Sequence, residues 1–122
     1  MRFTQDSASG VNLIRAYGNG ELRVNGDIYR GALILSATSI IAEPNIHNLE
    51  ELVALGASRI LALEPELVLL GTGTRQIFPA QEFSAQFLRA GIGFEVMDTG
   101  AACRTFNVLV SEQRRVAAML LA

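Results

Sequence analysis

Lysine and tryptophan are absent from this 122-residue chain, and cysteine and histidine occur once each, as Cys103 and His47. Without lysine there can be no P-loop of the G-x-x-x-x-G-K-[ST] kind. A lone cysteine excludes an internal disulfide and any multi-cysteine zinc site, which suits a reducing compartment. With one cysteine and one histidine, neither a metal site nor a bound cofactor is expected. Positive charge is also scarce. Ten arginines face twelve acids for a net charge of −2, so no basic field exists to hold nucleic acid. Long apolar runs are missing too. The longest, residues 31–42, is interrupted by Ser36, Thr38 and Ser39 and falls short of the roughly 20 residues that a membrane-spanning helix requires. Residues 1–10 contain no secretory apolar region, and Asp6 is out of place in an acid-free transit peptide. These absences predict a cytoplasmic protein with no membrane span of its own.

What the chain does have is apolar mass. Half of its residues are apolar and 18% are charged, enough buried surface to offset the entropy of ordering the chain. One compact domain over residues 1–122 is expected. Residues 12–17 and 21–24 place apolar side chains at alternate positions around Gly18-Asn19-Gly20, which reads as a hairpin. Asn25-Gly26 suits a type I′ turn and leads into a third strand at residues 27–35, completing an antiparallel meander. Glu43-Pro44-Asn45 then breaks the pattern, and a helix is predicted over residues 48–55. Residues 57–63 fit a helix better than a strand, because Arg59 and Glu64 spoil a period of two. From Glu66 the grammar changes. Leu67-Val68-Leu69-Leu70 reads as a strand covered on both faces, Pro79 and Gly91 bracket a helix carrying Phe83, Phe87 and Leu88, and residues 94–97 form the next strand. Asp98 caps a helix with Ala102, Phe106, Leu109 and Val110 on one side, and residues 116–121 end the pattern as a buried strand.

Candidate chemistry lies in the two loops that follow apolar strands. Gly71-Thr72-Gly73-Thr74-Arg75 offers glycines that allow close backbone approach and N–H groups near a helix start that favour an anion. It lacks the G-x-G-x-x-G spacing, and a simple tight turn explains the same glycines. If strands 67–70 and 94–97 are parallel neighbours, this loop and the one opening at Asp98-Thr99 share a carboxyl edge, where open α/β sheets bind ligands. Gly71, Thr72, Gly73, Arg75, Thr99 and Arg104 then border one cleft for a small anion. The alternative is that Arg75 and Arg104 pair with surface acids. Cys103, in the first turn of a helix, is placed where a thiol is activated, but it shares a helical face with Phe106 and Val110 and reads as core, and nothing requires His47 to meet it. His47 reads as a loop residue or a helix cap. Glu95 and Asp98 form no carboxylate pair for acid–base catalysis, so no catalytic residue is assigned.

A family resemblance adds to this reading. Glu64-Pro65-Glu66, Leu70-Gly71-Thr72-Gly73, Pro79, Gly91-Ile92, Glu95-Val96-Met97-Asp98-Thr99 and Thr105-Phe106-Asn107-Val108-Leu109, with Glu112 and Arg114, resemble a family of small domains. That family includes mitochondrial respiratory complex I assembly factor three and many uncharacterised bacterial and archaeal proteins. The similarity extends over nearly the whole chain. It implies a three-layer β/β/α fold with mixed sheets, and a mitochondrial relative that works with another assembly factor on the matrix side of the inner membrane. For bacterial members it implies no established activity. This chain departs from the eukaryotic members in beginning almost directly with domain sequence. It also has Pro44-Asn45-Ile46-His47 where family members often carry an aromatic residue. The expected function is a non-catalytic accessory or assembly-type role through protein contacts, with a respiratory or membrane-complex assembly component as partner and a homodimer as the nearest alternative. A small-anion or nucleotide-binding domain, an undiscovered enzyme included, is the competing reading and uses the cleft between loops 71–75 and 98–104.

Overall fold

The computed structural model describes residues 10–122; the expectation of a leader-free start concerns residues 1–10, nearly all outside that range. Among the described residues, three strands come first: β1 (Ile14–Gly18), β2 (Glu21–Val24) and β3 (Asp27–Arg30). They form an antiparallel sheet in sequence order. Both turns have two residues, but the type I′ geometry falls at the first. Asn19 and Gly20 take φ of 53° and 74°, whereas in the second turn only Asn25 is positive, at 54°. Asn25 is held from outside the turn. Its Oδ1 accepts from the Leu13 N–H and its own N–H donates to the Leu13 carbonyl.

The predicted third strand, residues 27–35, is two strands. Gly31 interrupts it at φ 80°, and the chain passes there from the small sheet into β4 (Ala32–Ser36) of a second sheet. A Cβ at Gly31 would lie 2.5 Å from the Pro44 carbonyl oxygen and 2.7 Å from that of Glu43, so space as well as φ demands glycine. β4 folds back on β5 (Ile40–Glu43), a strand absent from the sequence reading. The polar interruption at Ser36 to Ser39 is the turn between them, with Ser36 Oγ accepting from the N–H groups of Thr38 and Ser39.

Next come α1 (Leu49–Ala54), α2 (Ser58–Leu61), β6 (Leu67–Gly71), α3 (Gln81–Arg89), β7 (Gly93–Met97), α4 (Thr99–Ser111) and β8 (Val116–Leu121). Asn48 caps α1, accepting from the Glu51 N–H at 2.8 Å. The second sheet runs β5-β4-β8-β6-β7. β8 is antiparallel to β4 and parallel to β6, and β6 is parallel to β7. The connection from β6 to β7 carries α3 on one face. The return from β7 to β8, past β6, carries α4 on the other. Right-handed crossovers running in opposite directions must lie on opposite faces.

Strand periodicity sorts the apolar residues into two cores. Leu33, Leu35, Leu69, Ala118 and Leu120 face α4 and the small sheet, where they meet Ile14, Leu22, Val24 and Phe106. Ile34, Val68, Leu70, Ala117 and Met119 face α1, α2 and α3, where they meet Leu52, Ile60, Phe83 and Phe87. Phe87 stacks on Phe94 at 4.6 Å, and Phe83 meets both rings edge-on. This is the three-layer β/β/α arrangement, with the longest helix sharing the outer β layer. Polar ties seat that layer. Asn107 accepts from the Ile14 N–H and donates to the Ile14 carbonyl, both at 2.8 Å, closing the end of β1 as a neighbouring strand would.

The sheet-to-sheet passage yields a stability prediction. Gly31→Ala is expected to cost about 3 kcal/mol, from the positive φ and the backbone clash together. Gly20→Ala, with φ also positive but open space around it, should cost about 1 kcal/mol. Urea unfolding of the two variants measures the difference.

Candidate functional site

β6 and β7 are adjacent parallel strands whose outgoing connections leave to opposite faces. Such a switch point is where open α/β sheets form a ligand crevice. Here the crevice is laced shut by hydroxyl and backbone groups. The Thr72 N–H donates to the Met97 carbonyl at 2.9 Å, and the Thr99 N–H to the Gly73 carbonyl at 2.8 Å. The buried Thr99 hydroxyl accepts from the Gly73 N–H and donates to the Leu121 carbonyl, both at 2.7 Å. The Thr72 hydroxyl bonds the carbonyls of Arg75 and Met97 and accepts from the Ile77 N–H. Gly71 supports this closure. A Cβ there would come within 2.8 Å of Leu120 and 3.1 Å of the Thr99 backbone, so glycine lets β6 pass close beneath the start of α4.

The open space lies to one side, between the start of α4 and the tip of the β1–β2 hairpin. It is a cleft of about 370 Å³ bordered by Tyr17, Glu21, Gly73, Asp98, Thr99 and Arg104, among others. Of the six residues expected from sequence, Gly73, Thr99 and Arg104 meet there. Gly71 and Thr72 are buried. Arg75 is exposed and does not border the cleft, and it enters the loop's hydrogen bonding through its carbonyl. The cleft's charges are largely engaged. Arg104 donates to the Tyr17 hydroxyl and its guanidinium lies 5.9 Å from that ring's centre. Asp98 caps α4, accepting from the Ala101 N–H at 2.8 Å, so a carboxylate already stands where the helix start favours an anion.

The hairpin tip is the part that sequence reasoning missed. One signal for it exists. Gly100 sits in the first turn of α4, where glycine costs helix stability, and a Cβ there would lie 2.7 Å from the Tyr17 ring. An unexplained helical glycine marks a close approach.

Cys103 is core. It is buried beside Phe106 and Val110, and burial pushes its thiol up to about 12, with Arg104 lowering and Asp98 raising it to lesser extents. It is therefore a neutral thiol near pH 7. The backbone N–H of His47 donates to Glu51 at the start of α1, on the face of the sheet opposite Cys103. No group of three or more His, Cys, Asp or Glu side chains suited to a metal occurs among the described residues.

The lacing makes its own prediction. Thr99→Val removes the hydroxyl from the Gly73 N–H and the Leu121 carbonyl and is expected to cost about 2 kcal/mol, since buried polar groups then lose their partner. Thr99→Ser, which keeps the hydroxyl, should cost under about 1 kcal/mol. Denaturant midpoints distinguish the two.

Comparison with known proteins places this geometry. The family model described as a protein of unknown function (DUF498/DUF598) matches residues 14–121. A protein named 13 kDa major membrane protein, from Francisella tularensis subsp. holarctica, is 30% identical over 122 residues, 99% of each chain. No helix among the described residues here is long and apolar enough to cross a membrane. NADH dehydrogenase (ubiquinone) 1 alpha subcomplex assembly factor 3 of Danio rerio is 33% identical over 119 residues, 96% of this chain and 68% of that protein. A crystal structure from Bordetella parapertussis superposes with a TM-score of 0.83 at 34% identity, covering 93% of this chain and 98% of that one. The resemblance read from the sequence holds, and the chain belongs to the DUF498/DUF598 family, with assembly factor 3 proteins among its relatives.

Proposed function

We propose that this chain acts through protein contact, as an assembly-type accessory factor without catalysis of its own. The observation that carries the reading is the 33% identity to an assembly factor 3 over 96% of this chain. The chemistry of the thiol supports it, because the single cysteine is buried and protonated and makes a poor nucleophile. Exposed large apolar side chains support it as well: Phe78 and Leu88 are 70% and 71% exposed. The partner is a respiratory or membrane-complex assembly component, met in the cytoplasm, and a second copy of the chain is the nearest alternative. Affinity purification of the tagged chain from its native host is expected to recover such a component. Cys103→Ala should recover it equally. A partnerless monomer that turns over a small molecule, and loses the activity in Cys103→Ala, overturns this reading.

A second reading keeps the small anion. Its support is that Gly73, Thr99 and Arg104 border one cleft, with Gly71, Thr72 and Arg75 in the adjoining loop. An anion there must draw Arg104 away from Tyr17 and tolerate Asp98 and Glu21 nearby. Titration with phosphate, nucleotides and carboxylates, followed by backbone amide shifts at residues 71–75 and 98–104, tests it; unmoved resonances remove it.

A further inference from the structure

β7 is an outer strand of the five-stranded sheet, paired with β6 alone. Along a strand the N–H and C=O of one residue point to one side and those of the next to the other. The Gly93 N–H donates to the Glu66 carbonyl at 3.1 Å, and the Met97 carbonyl accepts from the Thr72 N–H at 2.9 Å. Residues 93, 95 and 97 therefore face β6, and Phe94 and Val96 turn their backbone groups outward. One of those four groups is covered: Gln76 Nε2 donates to the Val96 carbonyl at 2.9 Å. Among the described residues no hydrogen bond engages the other three, and they form an open edge of the kind that templates another strand. The contrast with β1 is informative, because there Asn107 engages both backbone groups of Ile14.

The surroundings of the edge say what would pair with it. A groove of about 480 Å³ lies alongside, between Phe94 and Val96 on β7 and Phe78, Pro79 and Ser84 on the loop and helix that follow β6. Phe78 is 70% exposed at its rim. Between Phe94 and Val96, on the other face of the strand, Glu95 is exposed and belongs to none of the ion pairs Arg30–Glu21, Arg59–Glu43 and Arg114–Glu66.

We propose that the open edge of β7 is a strand-addition site for an extended segment of a partner protein, in which a basic residue is flanked by apolar ones. The segment becomes a sixth strand of the sheet. Phe94 and Val96 supply backbone bonds that are indifferent to sequence, and alternation supplies the selectivity. Side chains on the groove side meet Phe78 and Phe94, and the residue between them lies across from Glu95. A second copy of this chain fits the edge less well. Two-fold antiparallel pairing of β7 with itself, in the register that uses both Phe94 and Val96, sets Glu95 opposite Glu95, and directly opposed like charges destabilise a strand pair. This inference rests on the protein-contact reading and specifies the partner's local chemistry.

The test uses the full chain and a short fluorescent peptide of alternating valine and arginine, with one control carrying glutamate for arginine and another carrying a central proline. The arginine peptide is expected to raise anisotropy saturably, to shift the backbone amides of residues 93–97 and to slow exchange at Phe94 and Val96. The proline control should not bind. Glu95→Arg, at an exposed position, should weaken the arginine peptide about fivefold and favour the glutamate peptide instead. Gln76→Ala frees the Val96 carbonyl and should tighten binding roughly threefold. Equal binding of the arginine and glutamate peptides, amide shifts away from β7, or dimerisation through β7 without peptide each overturns the proposal. Recovery of an assembly partner by affinity purification, alongside any of these results, leaves the broader reading intact and removes this edge from it.

Discussion

Every layer of this fold is positioned by a strand with no solvent face. All six residues of β8 are buried, and the strand is flanked by β4 on one side and β6 on the other. Two faces so completely covered require two separate sets of partners, and the alternation of side chains along β8 allots them. Val116, Ala118 and Leu120 belong to the core under α4 and the small sheet, while Ala117, Met119 and Leu121 belong to the core under α1 to α3. A slip of one residue in its register would exchange the two sets. The alanines at 117 and 118 matter as much as the larger residues, since their small side chains let α4 on one face, and α1 and α2 on the other, lie close against the strand.

The same centrality explains why the sheet's natural ligand crevice is filled. β6, β7 and β8 end together, and the Thr99 hydroxyl ties the β6 loop to the last turn of β8 through the Gly73 N–H and the Leu121 carbonyl. A hydroxyl doing this structural work is unavailable to a ligand. Open space around this end of the sheet is peripheral: the cleft between the hairpin tip and α4, and the groove along the outer side of β7. The proposed protein-contact role draws on these open surfaces and on the sealed thiol.

How far the sequence foretold this depends on the type of signal. Continuous apolar runs marked β6 and β8, because burial on two faces leaves no alternation to misread. Asp98 marked a helix start because its side-chain oxygen caps it, and the break at Glu43-Pro44-Asn45 announced the helix that Asn48 proves to cap. The passage at Gly31 was hidden, since one residue of positive φ inside an apolar stretch looks like an ordinary strand glycine until Pro44 is seen to lie against it. β5 was hidden for a related reason: Ser36, Thr38 and Ser39 resemble interruptions of a strand as much as a turn between two. The candidate cleft was legible only on the side formed by α4 and the loop after β6. Its other wall is the tip of a hairpin some eighty residues earlier, and nothing local to Tyr17 announces that it will rest on Gly100.

A sheet whose middle strand comes last has consequences for how the chain must fold. β8 pairs with β4 across a separation of more than eighty residues, and loop closure of that length precedes any gain from the contact. Until residues 116–121 arrive, β4 and β6 present unpaired inner edges and bare apolar faces to each other across a gap. On a ribosome, that intermediate persists for as long as the final helix and strand take to emerge, and such a species is prone to stick to other chains. Folding of this domain is thus expected to be slow and completed only after synthesis of β8, with chaperone engagement concentrated on the half-built sheet.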